Sequence, residues 1–67
     1  MALLPHQIQV VAEKRELDER LQRLVAFMGT ATFAELPEAE RARMTRQRDV
    51  MTELSAVLGE RIDAFSA

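Results

Sequence analysis

The chain has 67 residues, which allows one small domain whose core is thin for a protein without a disulfide, a metal or a partner subunit. Cysteine is absent, so disulfides and thiolate metal centres are excluded. Nine basic side chains against eleven acidic ones give a net charge of -2, whereas a general binder of nucleic acid or anionic membrane carries a basic footprint.

The N-terminal run Met1-Ala2-Leu3-Leu4-Pro5-His6 has no basic region and loses its apolar character after four residues, so no targeting segment is expected. The longest later apolar run, Leu24 to Met28, falls far short of the roughly 20 residues that span a bilayer. The expected location is the cytoplasm. Leu3, Val10, Leu17, Leu21, Leu24 and Met28 recur at spacings of three, four and seven, the period of an amphipathic helix. Pro5 suits its first turn and Gly29 an αL stop, so the first helix is predicted over 5–28.

A corner follows over 29–36, in which Thr32 and Glu35 have capping-box spacing and Phe33 and Leu36 form an apolar plug. The second stripe holds Met44, Met51, Leu54, Leu58 and Phe65, flanked by Val50, Val57 and Ile62. With Pro37 at its start and Glu38 and Glu40 in its first turn, it predicts a helix over 37–64. Gly59 lies inside that helix and marks a close backbone approach. So short a connection makes the helices antiparallel neighbours, and residues 1–67 read as one all-α helical-hairpin domain.

Two helices do not cover all the apolar surface. Projected at about 100° per residue from Ile8, the main stripe of the first helix centres near 200°, while Leu4, Ile8 and Val11 fall between about 300° and 360°. On the second helix the apolar sector spans about 140°, more than one partner helix covers. Pairing of two hairpins into a four-helix bundle is therefore expected, and Leu4, Ile8, Val11, Ile62 and Phe65 are the candidate protein interface. Lys14 interrupts the first stripe and Gln47 and Arg61 the second. A lysine stem lies on an apolar seam with its ammonium in solvent or on a neighbouring acid, or it fixes helix register.

Little of the chain resembles catalytic machinery. His6 has no cysteine, serine or second histidine beside it, and the charged run from Glu13 to Arg20 holds ordinary i,i+4 helix pairs such as Glu16 with Arg20. No glycine-rich phosphate loop or metal motif is present, so no enzyme activity, cofactor or metal is expected. Arg41, Arg43, Arg46 and Arg48 are a local basic excess, but Arg43 and Arg46 lie about 140–200° around the helix from Arg41 and Arg48. Nucleic-acid binding is thus not expected, nor is a membrane partner. Arg43, Arg46, Arg61 and Lys14 remain candidates for polar seam or small-ligand contacts.

Leu4-Pro5-His6-Gln7, Val10-Val11, Glu13-Lys14 and Glu16-Leu17-Asp18-Glu19, the corner Phe33 to Leu36-Pro37 with Glu40-Arg41, and Val57-Leu58-Gly59-Glu60-Arg61-Ile62 with Phe65 carry a resemblance over nearly the whole chain. They resemble a family of small phage and prophage proteins related to a crAss-phage reading frame. In length and architecture the chain is also similar to small phage inhibitors of host regulators, such as the quorum-sensing anti-activator of a Pseudomonas phage. The resemblance implies a phage-encoded accessory protein without catalytic residues. The expectation is a homodimer that binds and inhibits a host bacterial protein, whether regulator, motor or defence component. The alternatives are a sponge for a cyclic nucleotide immune signal and a structural or assembly dimer.

Overall fold

The computed structural model describes residues 2–66. Three helices follow in order, α1 (Pro5–Met28), α2 (Ala31–Ala34) and α3 (Glu38–Asp63), with a closing 3₁₀ turn over Ala64–Ser66. No strand occurs among the described residues. The long helices α1 and α3 pack antiparallel as a hairpin, and α2 occupies the corner. Among the described residues no helix is long and apolar enough to cross a membrane.

Each helix end has a local cause. Leu4 precedes α1 in extended geometry, its N–H donating to Gln7 Oε1 at 2.8 Å, while Pro5 fills a position whose N–H would be unpaired in any case. Gly29 does not end α1 in the αL conformation expected of it: its φ is -89°, and no described residue has a positive φ. The stop is made instead by Thr30, whose hydroxyl donates to the Phe27 carbonyl at 2.6 Å and accepts the Phe33 N–H at 3.2 Å. One threonine thereby closes α1 and caps α2, so the cap is Thr30 and not Thr32. Pro37 stands just outside α3 as its N-cap, and Glu38 and Glu40 occupy the first turn where the helix dipole favours acids.

The Phe27 and Phe33 rings meet edge to face, with centroids 6.1 Å apart and planes at 87°, and with half-buried Leu36 they close the corner. The Arg41 guanidinium donates through Nε to the Leu36 carbonyl at 3.2 Å and ties α3 back to this turn.

The rest of the hairpin is slender. Among the described residues only Val10, 4% exposed, and Leu58, 2% exposed, are buried, while Leu17, Leu21, Leu24, Met28, Met44, Met51, Ile62 and Phe65 are half-buried. The extents are 50 × 14 × 14 Å and the radius of gyration is 15.3 Å, against about 11 Å for a compact domain of this length. Leu54, expected on the inner stripe of α3, is 42% exposed and joins Val50 and Val57 on an outer face. The inward direction of α3 is set by Met51 and Leu58, and Leu54 lies to one side of it.

Candidate functional site

At the open end of the hairpin, opposite the Phe33 corner, the start of α1 and the end of α3 enclose a cleft of about 560 Å³. Ala2, Leu3, Leu4, Val11, Ile62 and Phe65 supply apolar walls, and Gln7 and Ser66 supply the polar groups. Four of the five candidate interface residues, Leu4, Val11, Ile62 and Phe65, therefore share one site. Ile8 lies outside the cleft, 55% exposed, on the face continuous with Leu4, itself 55% exposed. The 3₁₀ turn matters here. By tightening the chain after Asp63 it places Phe65 and Ser66 at the cleft beside Ile62.

Midway along the hairpin a polar triangle joins the helices. Lys14 Nζ donates to Asp18 Oδ2 at 2.8 Å and to Ser55 Oγ at 2.9 Å, and Ser55 Oγ donates to Asp18 Oδ1 at 2.5 Å. The hydrogen bonds from Lys14 and Ser55 stabilise the Asp18 carboxylate and hold its pKa below the ordinary aspartate value, outweighing the slight desolvation that acts the other way. The lysine stem crosses Gly59, its Cε 3.4 Å from where a Cβ would stand. The approach that Gly59 permits is thus made by a side chain of α1, not by its backbone. Sequence spacing could place Lys14 and Gly59 on facing stripes, but Ser55 gave no signal because a serine in a helix is ordinary.

The other basic candidates do not converge within one chain. Arg43 is exposed and pairs with Glu40 at 2.9 Å, in the half of α3 nearest the corner. Arg46, also exposed, lies about 22 Å along the helix from Arg61 at 1.5 Å rise per residue. Arg61 is exposed and, although next to Ile62 in sequence, does not line the cleft. The expected Glu16–Arg20 bridge is not formed among the described residues, whose ion pairs are Lys14–Asp18, Arg43–Glu40 and Arg48–Asp49. A second groove of about 520 Å³ runs along α1 past Asp18, Leu21, Gln22, Val25 and Ala26.

Among the described residues no group of three or more histidine or acidic side chains gathers to hold a metal ion. What the geometry offers is an all-α hairpin with an open apolar cleft, exposed apolar helix faces and scattered arginines. A sequence model of the Sequestin family matches residues 4–64, and the chain belongs to that family. Neither the curated proteins nor the solved structures return a match.

Proposed function

We propose that this protein is a stoichiometric sequestering agent without catalytic activity, acting as a homodimer and withdrawing a small cyclic nucleotide signal from its receptor. The family name, Sequestin, supports a sequestering role. The observation that carries the choice of cargo is the open-end cleft. Its volume of about 560 Å³ falls within the roughly 300–1,000 Å³ typical of small-molecule sites. Leu3, Leu4, Val11, Ile62 and Phe65 present apolar surface to a flat base, with Gln7 and Ser66 at hand for its polar edge. Phage origin and action in the bacterial cytoplasm, against a host defence that uses such a signal, belong to the same proposal.

Thermal unfolding in the presence of a panel of cyclic mono- and dinucleotides tests it. A ligand at 100 times its dissociation constant adds about 2.7 kcal/mol to the stability of the form it binds. One member of the panel is expected to raise the melting temperature, and Gln7→Ala and Phe65→Ala are expected to diminish that rise. A flat response across the panel would contradict the proposed cargo.

A second reading is inhibition of a host protein, favoured by Leu4 and Ile8, each 55% exposed on a face that the cleft does not use up. Large apolar side chains grouped on a surface and rimmed by charge mark protein contacts. Ile8→Asp separates the two: it leaves a nucleotide-induced shift in place and abolishes capture of a protein target.

A further inference from the structure

We propose that a second copy of this chain packs antiparallel along the outer face of α3, about a two-fold axis near Thr52. The face has a repeat of its own. Arg43, Gln47, Val50, Leu54, Val57, Arg61 and Ala64 follow one another at alternating steps of four and three, the seam spacing of paired helices. The inner residues Met44, Met51 and Leu58 of α3, and Phe65 of the closing 3₁₀ turn, keep the same seven-residue interval one position further on. The helix thus carries two adjacent stripes, and α1 covers one. The centre of the other is bare, with Val50 62%, Leu54 42% and Val57 41% exposed.

The surface area supports an occupant of this size. The chain exposes 5170 Å², whereas a compact monomer of 7.6 kDa exposes about 4,300 Å², an excess of roughly 900 Å². A standard interface buries about 800 Å² on each partner.

Charge selects the second copy and its direction. Lys14, Asp18, Ser55 and Gly59 mark one edge of the α1–α3 seam, so the outer stripe of α3 and the row Glu13, Glu16, Arg20 and Arg23 of α1 share the opposite edge. That row is acidic before Asp18 and basic after it. Asp18 meets Ser55, three residues from Thr52, so a two-fold axis near Thr52 crosses α1 within about one turn of Asp18, and an antiparallel mate turns the acidic half of this row, Glu13 and Glu16, toward the basic half, Arg20 and Arg23 of the partner subunit. On the far flank of the seam the mate sets Arg46 against Glu60 of the partner subunit, at the cost of Glu53 meeting its own copy at the axis. A parallel mate would stack Glu16 on its own copy and Arg20 on its own copy. The antiparallel arrangement also places Val50 against Leu54 of the partner subunit; Arg43 and Arg61 of the partner subunit, like charges, come together only at the exposed ends of the seam, where solvent and salt screen them. The face of Leu4 and Ile8 lies on the Asp18 side of α1 and stays free.

The inference rests on the self-association contained in the proposed function and adds its surface and direction. The chain has no cysteine, so single cysteines report the seam. Arg43→Cys and Arg61→Cys, mixed under mild oxidation, are expected to give the 43–61 disulfide and little of either like-with-like product. In this arrangement two copies of position 43 lie about 27 Å apart along the axis. Sedimentation of Leu54→Glu and Ile8→Glu accompanies it, the first expected to be monomeric with its helical circular dichroism retained and the second dimeric. A dominant 43–43 disulfide, a dimeric Leu54→Glu or a monomeric Ile8→Glu would overturn the seam while leaving dimerisation intact. A wild-type chain that stays at 7.6 kDa up to 50 micromolar would overturn both, and cargo binding is decided separately by the thermal panel.

Discussion

Leu58→Ala probes the packing on which the hairpin depends. The side chain is 2% exposed and, with Val10 at 4%, is one of two buried among the described residues. Truncating a buried leucine to alanine costs about 2–5 kcal/mol, the upper values belonging to sites that cannot collapse. Here only two helices flank the site, with no layer behind either, so they can move together and the lower part of the range, about 2–3 kcal/mol, is expected. A 67-residue domain has a total stability of roughly 3–10 kcal/mol, so the variant forfeits a large share of it. Leu54→Ala, one turn away and 42% exposed, is the internal control. Within a single hairpin its truncation costs less than about 1 kcal/mol. Urea unfolding followed by helical circular dichroism at 2 and at 100 micromolar reads both. Leu58→Ala is expected to lose stability to the same extent at both concentrations, and Leu54→Ala chiefly at the higher. A Leu58→Ala loss below about 0.5 kcal/mol would refute the packing of α1 on α3 described above.

Gly59→Ala is expected to stabilise the protein by about 0.5–1 kcal/mol, because the helix gains alanine's propensity and the added Cβ meets only the flexible Lys14 stem at 3.4 Å; denaturant midpoints decide the sign. Thr30→Ala removes the hydroxyl that joins α1 to α2 and is expected to cost about 1 kcal/mol by the same measurement. Because Asp18 has a lowered pKa when folded, its contribution to stability is complete above the unfolded aspartate value of about 3.9 and is lost as pH falls through the lower folded value. Melting temperatures between pH 5 and pH 2 are therefore expected to fall less steeply in Asp18→Asn than in wild type, and equal slopes would contradict the triangle. Ser55→Ala is expected to lower the melting temperature at neutral pH without reducing helix content, since it removes a bridge between helices and no helical residue.

The hairpin was legible in the sequence because its period and punctuation agree. Spacings of three, four and seven run from Val10 to Met28 and from Met44 to Phe65, crossed by Lys14, Gln47 and Arg61, and Pro5 and Pro37 stand at the two starts. The corner was legible only in outline. Thr30 and Thr32 are equally good caps on paper, and what separates them is that Thr30 Oγ1 can reach the Phe27 carbonyl at the end of α1. The division of the wide apolar sector of α3 into an inner and an outer stripe was hidden for a similar reason. Helical angles give the width of a sector, whereas its centre depends on where α1 lies, and Met51 and Leu58 settle that only in three dimensions. The open-end cleft was partly visible through Leu4, Val11, Ile62 and Phe65, but Gln7 and Ser66 carry no signal until the final turn brings them there.

Sequestration without chemistry makes one demand that neither an enzyme nor an inert helical pair meets: the cargo must leave solution in fixed proportion and come back unchanged. The direct measurement is to mix the protein with the cyclic nucleotide that raises its melting temperature, pass the mixture through a membrane that retains the protein, and then denature the retained protein by heat. The nucleotide is expected to disappear from the filtrate up to a fixed molar ratio and to reappear intact, by chromatography and mass, after heating. Nucleotide that stays in the filtrate at micromolar protein, or that returns as a cleaved product, would contradict the proposed function.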